Sequence, residues 1–68
     1  MIARGEGIAD ILRFIEDHPE SYASLAVCRR ALDGGLDRVT GATLAQLQQY
    51  LEDEAPDDEI EAFHTIIS

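Results

Sequence analysis

Ile8, Ile11, Leu12 and Ile15 recur at the i, i+3, i+4, i+7 spacing that sets four branched side chains on one side of a helix, and this predicts a first helix over residues 8–17. His18-Pro19 ends it, because the residue before a proline is pushed out of the helical region. His18 then sits near the negative end of the helix dipole, where a protonated imidazole is favoured. Pro19 suits the first turn of a second helix that runs to about Asp33 and closes at Gly34-Gly35, a pair able to take the left-handed cap conformation. The main face of this helix is read as Tyr22, Leu25 and Leu32, with Cys28 at one edge. The opposite face holds Ala23, Val27 and Ala31. A helix that is apolar or small on both sides is expected to be central, or to be approached closely by another helix from the fold or from a second subunit.

Leu36 to Ala42 reads as a connector that can hold a helical turn around Leu36 and Val39. It offers two N-caps, Thr40 and Thr43. Thr43 is preferred, since its hydroxyl can accept from an otherwise unpaired amide of the following turn. Leu44, Leu47 and Leu51 form the stripe of a third helix with Tyr50 beside it, while Gln46, Gln48 and Gln49 fall off the stripe. Ala55-Pro56 breaks the chain, and Asp57-Asp58-Glu59 open a fourth helix with Ile60, Phe63 and Ile67 on one side. No run shows the sustained two-residue alternation of a half-buried strand. The pattern predicts an all-α fold, a compact bundle of about four short helices, as one small domain over residues 1–68.

Composition narrows this reading. With 46% hydrophobic and 28% charged residues the chain is too apolar for intrinsic disorder and too often interrupted by charge for a membrane span. A core of this size is worth only about 3–5 kcal/mol, and Cys28, the sole cysteine, can form no internal disulfide. Oligomerisation or a bound partner is the remaining supplement, and a homodimer is one expectation. Residues 1–7 lead into a helix containing Asp10 and Arg13 and lack the apolar stretch of a secretory signal, so the protein is expected in the cytoplasm.

The net charge of −9 works against direct binding to nucleic acid and favours a partner protein with a basic surface. Half of the 14 acids lie in residues 52–68, where there is no lysine or arginine. Asp57, Asp58 and Glu59 have a local explanation, because carboxylates stabilise a helix start. Glu52, Asp53 and Glu54 stand at a helix end, where the dipole disfavours them. They are either a solvated turn that aids solubility or a docking patch for an arginine- or lysine-rich surface. The candidate partner-binding residues are therefore Glu52, Asp53, Glu54, Asp57 and Asp58 on the turn and Ala23, Val27 and Ala31 on the second helix. One form of the docking reading is a nucleic-acid-mimicking inhibitor, of the phage or mobile-element type, whose carboxylates occupy a protein's phosphate-binding groove.

Other chemistry finds little footing. No loop has the alternating acids and central glycine of an EF-hand, and two histidines with one cysteine make no structural zinc spacing. Cys28 has no base near it in sequence, so no catalytic residue, metal or cofactor is assigned. The nine residues from Gly34 to Ala42 are longer than the turn of a helix-turn-helix DNA reader, and residues 44–54 carry three acids and no base. Gly35-Leu36-Asp37-Arg38-Val39, followed by a helix and an acidic turn, resembles the acyl carrier proteins, which are also small acidic four-helix domains. That resemblance implies a serine after the aspartate to carry the prosthetic arm, and Arg38 stands there instead. The expectation is a non-enzymatic interaction module: a regulator, adaptor or inhibitor.

Overall fold

The computed structural model describes residues 3–32 and 39–68, and these form four α-helices with no strand among the described residues. They are α1 (Arg4–Asp17), α2 (Tyr22–Leu32), α3 (Gly41–Asp53) and α4 (Asp57–Ile67). The Gly34-Gly35 cap and the turn around Leu36, both expected from the sequence, lie outside the described residues.

Three helix starts differ from the sequence reading, each for a local reason. Helix α1 begins at Arg4 rather than residue 8. Gly5 and Gly7 are poor helix formers that hid this turn, but Gly7 and Ile8 are buried, and their packing outweighs propensity. Pro19 is not in the first turn of α2; it sits in the bend between α1 and α2, and Ser21 precedes the helix. A serine can do what proline cannot: its Oγ accepts from the Ala23 amide at 3.2 Å, while its carbonyl accepts the first helical bond from Leu25. The cap of α3 is Thr40, not Thr43. Thr40 has extended backbone and its hydroxyl accepts from the Thr43 amide at 3.2 Å, which leaves Thr43 buried inside the first turn.

The core is one cluster to which every helix contributes. Helix α1 supplies Ile8, Ile11 and Ile15, α2 Val27 and Cys28, α3 Leu47 and Leu51, and α4 Ile60 and Phe63, with Ala55 of the α3–α4 turn. The i, i+3, i+7 stripes read from the sequence for α1, α3 and α4 face the core, with Leu44 and Ile67 half-buried against it and the rest buried. Helix α2 is rotated from its expected orientation, although Leu32 still packs against the core. Ser24, Val27 and Cys28 face inward with no exposure, whereas Tyr22, expected on the core face, is 88% exposed. Ser24 can sit in the core because its hydroxyl donates to the His18 carbonyl at 2.7 Å, leaving no unsatisfied polar group.

Packing does not follow chain order. Helix α1 lies chiefly on α4 and also on α3, α2 lies on α3 and α4, and the sequence-adjacent pairs α1/α2 and α3/α4 touch only marginally. Two side-chain links fix the relation of α1 to α4: Arg4 to Asp57 at 2.6 Å and Asp10 to His64 at 3.0 Å. The partners advance together along both helices, so α1 and α4 run parallel.

Gly5 lies on the outer side of α1, and a Cβ added there meets nothing within 4 Å. Replacing it by alanine removes backbone freedom from the unfolded chain at no steric cost. Gly5→Ala is expected to raise unfolding stability in urea by up to about 1 kcal/mol; a loss of stability would mean that the first turn of α1 needs the glycine.

Candidate functional site: the acidic corner between α3 and α4

The turn joining α3 to α4 is held by a single cation from the far end of the chain. Arg4, in the first turn of α1, sends its guanidinium across to the corner. There Nη2 donates to the carbonyls of Leu51 (2.7 Å) and Ala55 (2.6 Å), and Nη1 donates to the Asp57 carboxylate (2.6 Å). The last carbonyls of a helix have no partner within it. Arg4 satisfies that of Leu51, and it sets a positive charge at the end of α3 where the dipole favours one. Its side chain is 35% exposed, so the group is partly desolvated; that of Asp57 is 83% exposed.

The rest of the corner is built from backbone geometry. Glu54 caps α3, and the amides of Glu54 and Ala55 both donate to the Tyr50 carbonyl. Pro56 precedes α4 with extended backbone, and its carbonyl accepts from Glu59 and Ile60. Its fixed φ and missing amide suit this position, where an N–H would have no helical partner. Asp58 accepts from the Glu59 amide at 3.0 Å, a local use of its charge. Across the corner the Tyr50 hydroxyl donates to Glu59 at 2.6 Å. This bond, with desolvation and the negative charges of Glu59 and Glu54, raises the Tyr50 pKa above its ordinary value.

The five acids picked out from the sequence are thus brought together on one exposed corner, but they are not equivalent. Asp57 is spoken for by Arg4 and Asp58 by the helix start. The Glu52 and Asp53 side chains are exposed and make no hydrogen bond or ion pair to any described residue, and the Glu54 side chain acts on Tyr50 only through its charge. In the second candidate set Val27 is corrected: it is fully buried in the core, where no partner can reach it, while Ala31 is half-buried against the core and Ala23 is half-buried.

Arg4 and the Tyr50–Glu59 bond carry the corner and were not assigned from the sequence. An arginine at a helix start runs against the dipole, which is a weak sign of a distant partner, but nothing in a chain of letters connects residue 4 to residue 57. The remaining chemistry-bearing groups lie elsewhere. His18 is the exposed C-cap of α1, with its ring 4.9 Å from that of Phe14. His64 is a half-exposed flank of α4 facing Asp10. Cys28 is buried in the core, and desolvation raises its thiol pKa above the ordinary value. Among the described residues no group of three or more His, Cys, Asp or Glu side chains is placed to hold a metal ion, and no helix is long and apolar enough to cross a membrane.

Comparison with protein-family models, curated proteins and solved structures finds no match to this chain in any of the three.

Two outcomes follow from the corner's geometry. Arg4→Met keeps the aliphatic stem and removes three charge-assisted bonds, and is expected to cost about 1–3 kcal/mol in urea unfolding, with faster amide exchange at Glu54 and Ala55. An unchanged exchange pattern would mean that the turn holds itself. For Tyr50, the folded state keeps the phenolic proton more tightly than the unfolded chain does. Its stabilisation is therefore complete below about pH 10 and is lost as pH rises through the raised value. The difference in melting temperature between wild type and Tyr50→Phe should shrink as pH rises above about 10; a constant difference would show that the bond to Glu59 does not form in solution.

Proposed function

We propose that this protein is a small cytoplasmic, non-enzymatic interaction module, a regulator, adaptor or inhibitor, that docks its α3–α4 corner onto a basic surface of another protein. One observation carries the reading: Glu52, Asp53 and Glu54 stand exposed at the end of a helix whose dipole disfavours them, on a turn that Arg4 holds in place. Like charges at a helix end cost stability, and residues with no structural use there are expected to have another. A turn held by charge-assisted bonds presents its carboxylates in one geometry, which reduces the ordering cost of binding. Nucleic-acid mimicry is the special case in which the partner's basic surface is its phosphate-binding groove.

The test is capture of partners at low salt from the native lysate by the tagged wild type and by E52Q/D53N/E54Q. A partner held by the wild type, lost by the variant and released as ionic strength rises toward about 0.5 M supports docking through the corner. Its displacement by DNA or RNA would make the protein a mimic. Equal capture by both proteins returns the corner to a solvated turn.

A further inference from the structure

The α3–α4 corner already holds a cation, and that cation is one of the chain's own side chains. Nη2 of Arg4 donates to the carbonyls of Leu51 and Ala55 at 2.7 and 2.6 Å, and Nη1 to the Asp57 carboxylate at 2.6 Å. All three acceptors lie within residues 51–57. That segment is gathered by contacts that do not involve Arg4: Leu51 and Ala55 are buried in the core, the Glu54 and Ala55 amides donate to the Tyr50 carbonyl, and the Pro56 carbonyl accepts from Glu59 and Ile60. Two carbonyls and a carboxylate converging on one planar cation suit a guanidinium, whose rigid fork serves several acceptors at once, better than a lysine ammonium, which is a compact point charge. The exposed acids Glu52, Asp53 and Glu54 beside it add to the local negative potential.

The turn that carries this occupant is weakly built. Ala3 at the N-cap makes no side-chain bond, Arg4 sets a positive charge at the positive end of α1, and Gly5 follows. Space does not require a glycine there, because a Cβ at Gly5 meets nothing within 4 Å; its effect is to lower the stability of the turn. The core grips α1 only from Gly7 and Ile8 onward. We propose that the corner is a guanidinium-binding site which Arg4 fills in cis, and that an arginine of the basic partner takes its place when the first turn of α1 unwinds. This rests on the docking reading and deepens it: the partner presents arginine rather than lysine, and Arg4 is the internal competitor that sets how readily the corner opens. Unwinding one exposed turn releases Arg4 while Ile8, Ile11 and Ile15 stay in the core. The exchange leaves no acceptor unsatisfied, since the incoming guanidinium makes the bonds that Arg4 gives up.

Backbone amide shifts in nuclear magnetic resonance test this, with n-propylguanidinium and n-butylammonium, the side-chain groups of arginine and lysine, added as chloride salts at constant ionic strength. In R4A, checked for helical circular dichroism, propylguanidinium is expected to give saturable shifts centred on Glu54, Ala55 and Asp57, and butylammonium to bind at least about tenfold more weakly. R4A/D57N should bind propylguanidinium at least about fivefold more weakly than R4A. The wild type should bind it more weakly than R4A does, and G5A, which strengthens the first turn, about two- to fivefold more weakly again. Shifts in R4A that do not saturate, or that are the same for both cations, overturn the proposal, as does G5A binding equal to that of the wild type. The last comparison leaves Arg4 intact and decides the matter even where R4A fails to fold. The docking reading fails separately: equal lysate capture by the wild type and E52Q/D53N/E54Q removes the partner, while saturable propylguanidinium binding to R4A keeps the site.

Discussion

The parallel packing of α4 on α1 is the contact on which the rest of the bundle depends. Ile8, Ile11 and Ile15 from one helix and Ile60 and Phe63 from the other bring half of the buried hydrophobic cluster to this pair. Both ends of the chain are tied together there. Two parallel helices cannot be joined by a short turn, so the intervening chain must cross from one end of the pair to the other. Helices α2 and α3 make that crossing, and each lies against the pair: α2 on α4 and α3 on α1. The marginal contact of α1 with α2 and of α3 with α4 follows from this arrangement. It differs from an up-and-down bundle, in which short loops make consecutive helices antiparallel partners.

Polar links border the apolar seam and give it register. Arg4 with Asp57 and Asp10 with His64 sit on the partly exposed rim, where an ion pair contributes little net energy but a wrong register would leave its partners apart. Arg4 does more than the other pair because two of its three bonds go to backbone carbonyls at the end of α3. One side chain thereby joins the start of α1 to the end of α3 and the start of α4. The acidic corner, which concentrates the net charge of the molecule, is anchored by a cation lying 47 to 53 residues away in sequence.

Charge is divided between surfaces in a way that the net value conceals. The corner is acidic, whereas the last turn of α2 carries two exposed arginines, Arg29 and Arg30. Helix α2 turns Val27 and Cys28 inward, which leaves Tyr22 and the arginines to solvent. Inverting α2 about its axis would bury Tyr22 and open the small-residue face instead. The choice between those faces sets which side chains of α2 meet solvent.

By itself the sequence determined the all-α class, the four helices and the inward faces of α1, α3 and α4. Each of those three helices carries a stripe of large branched or aromatic side chains at helical spacing against a polar remainder, and that contrast is a local property. It also marked the exposed acids at the end of α3, because composition alone places them where the dipole disfavours them. Helix α2 lacks such contrast: Tyr22, Leu25 and Leu32 on one side, with Cys28 at its edge, compete with Ala23, Val27 and Ala31 on the other. The packing of α2 on α3 and α4 decided which residues went inside. Ser24 could enter because the carbonyl of His18 was in reach. The parallel pairing of α1 with α4 and the reach of Arg4 to the α3–α4 corner likewise belong to the tertiary structure, since both depend on residues some fifty positions apart, and no local pattern carries that information.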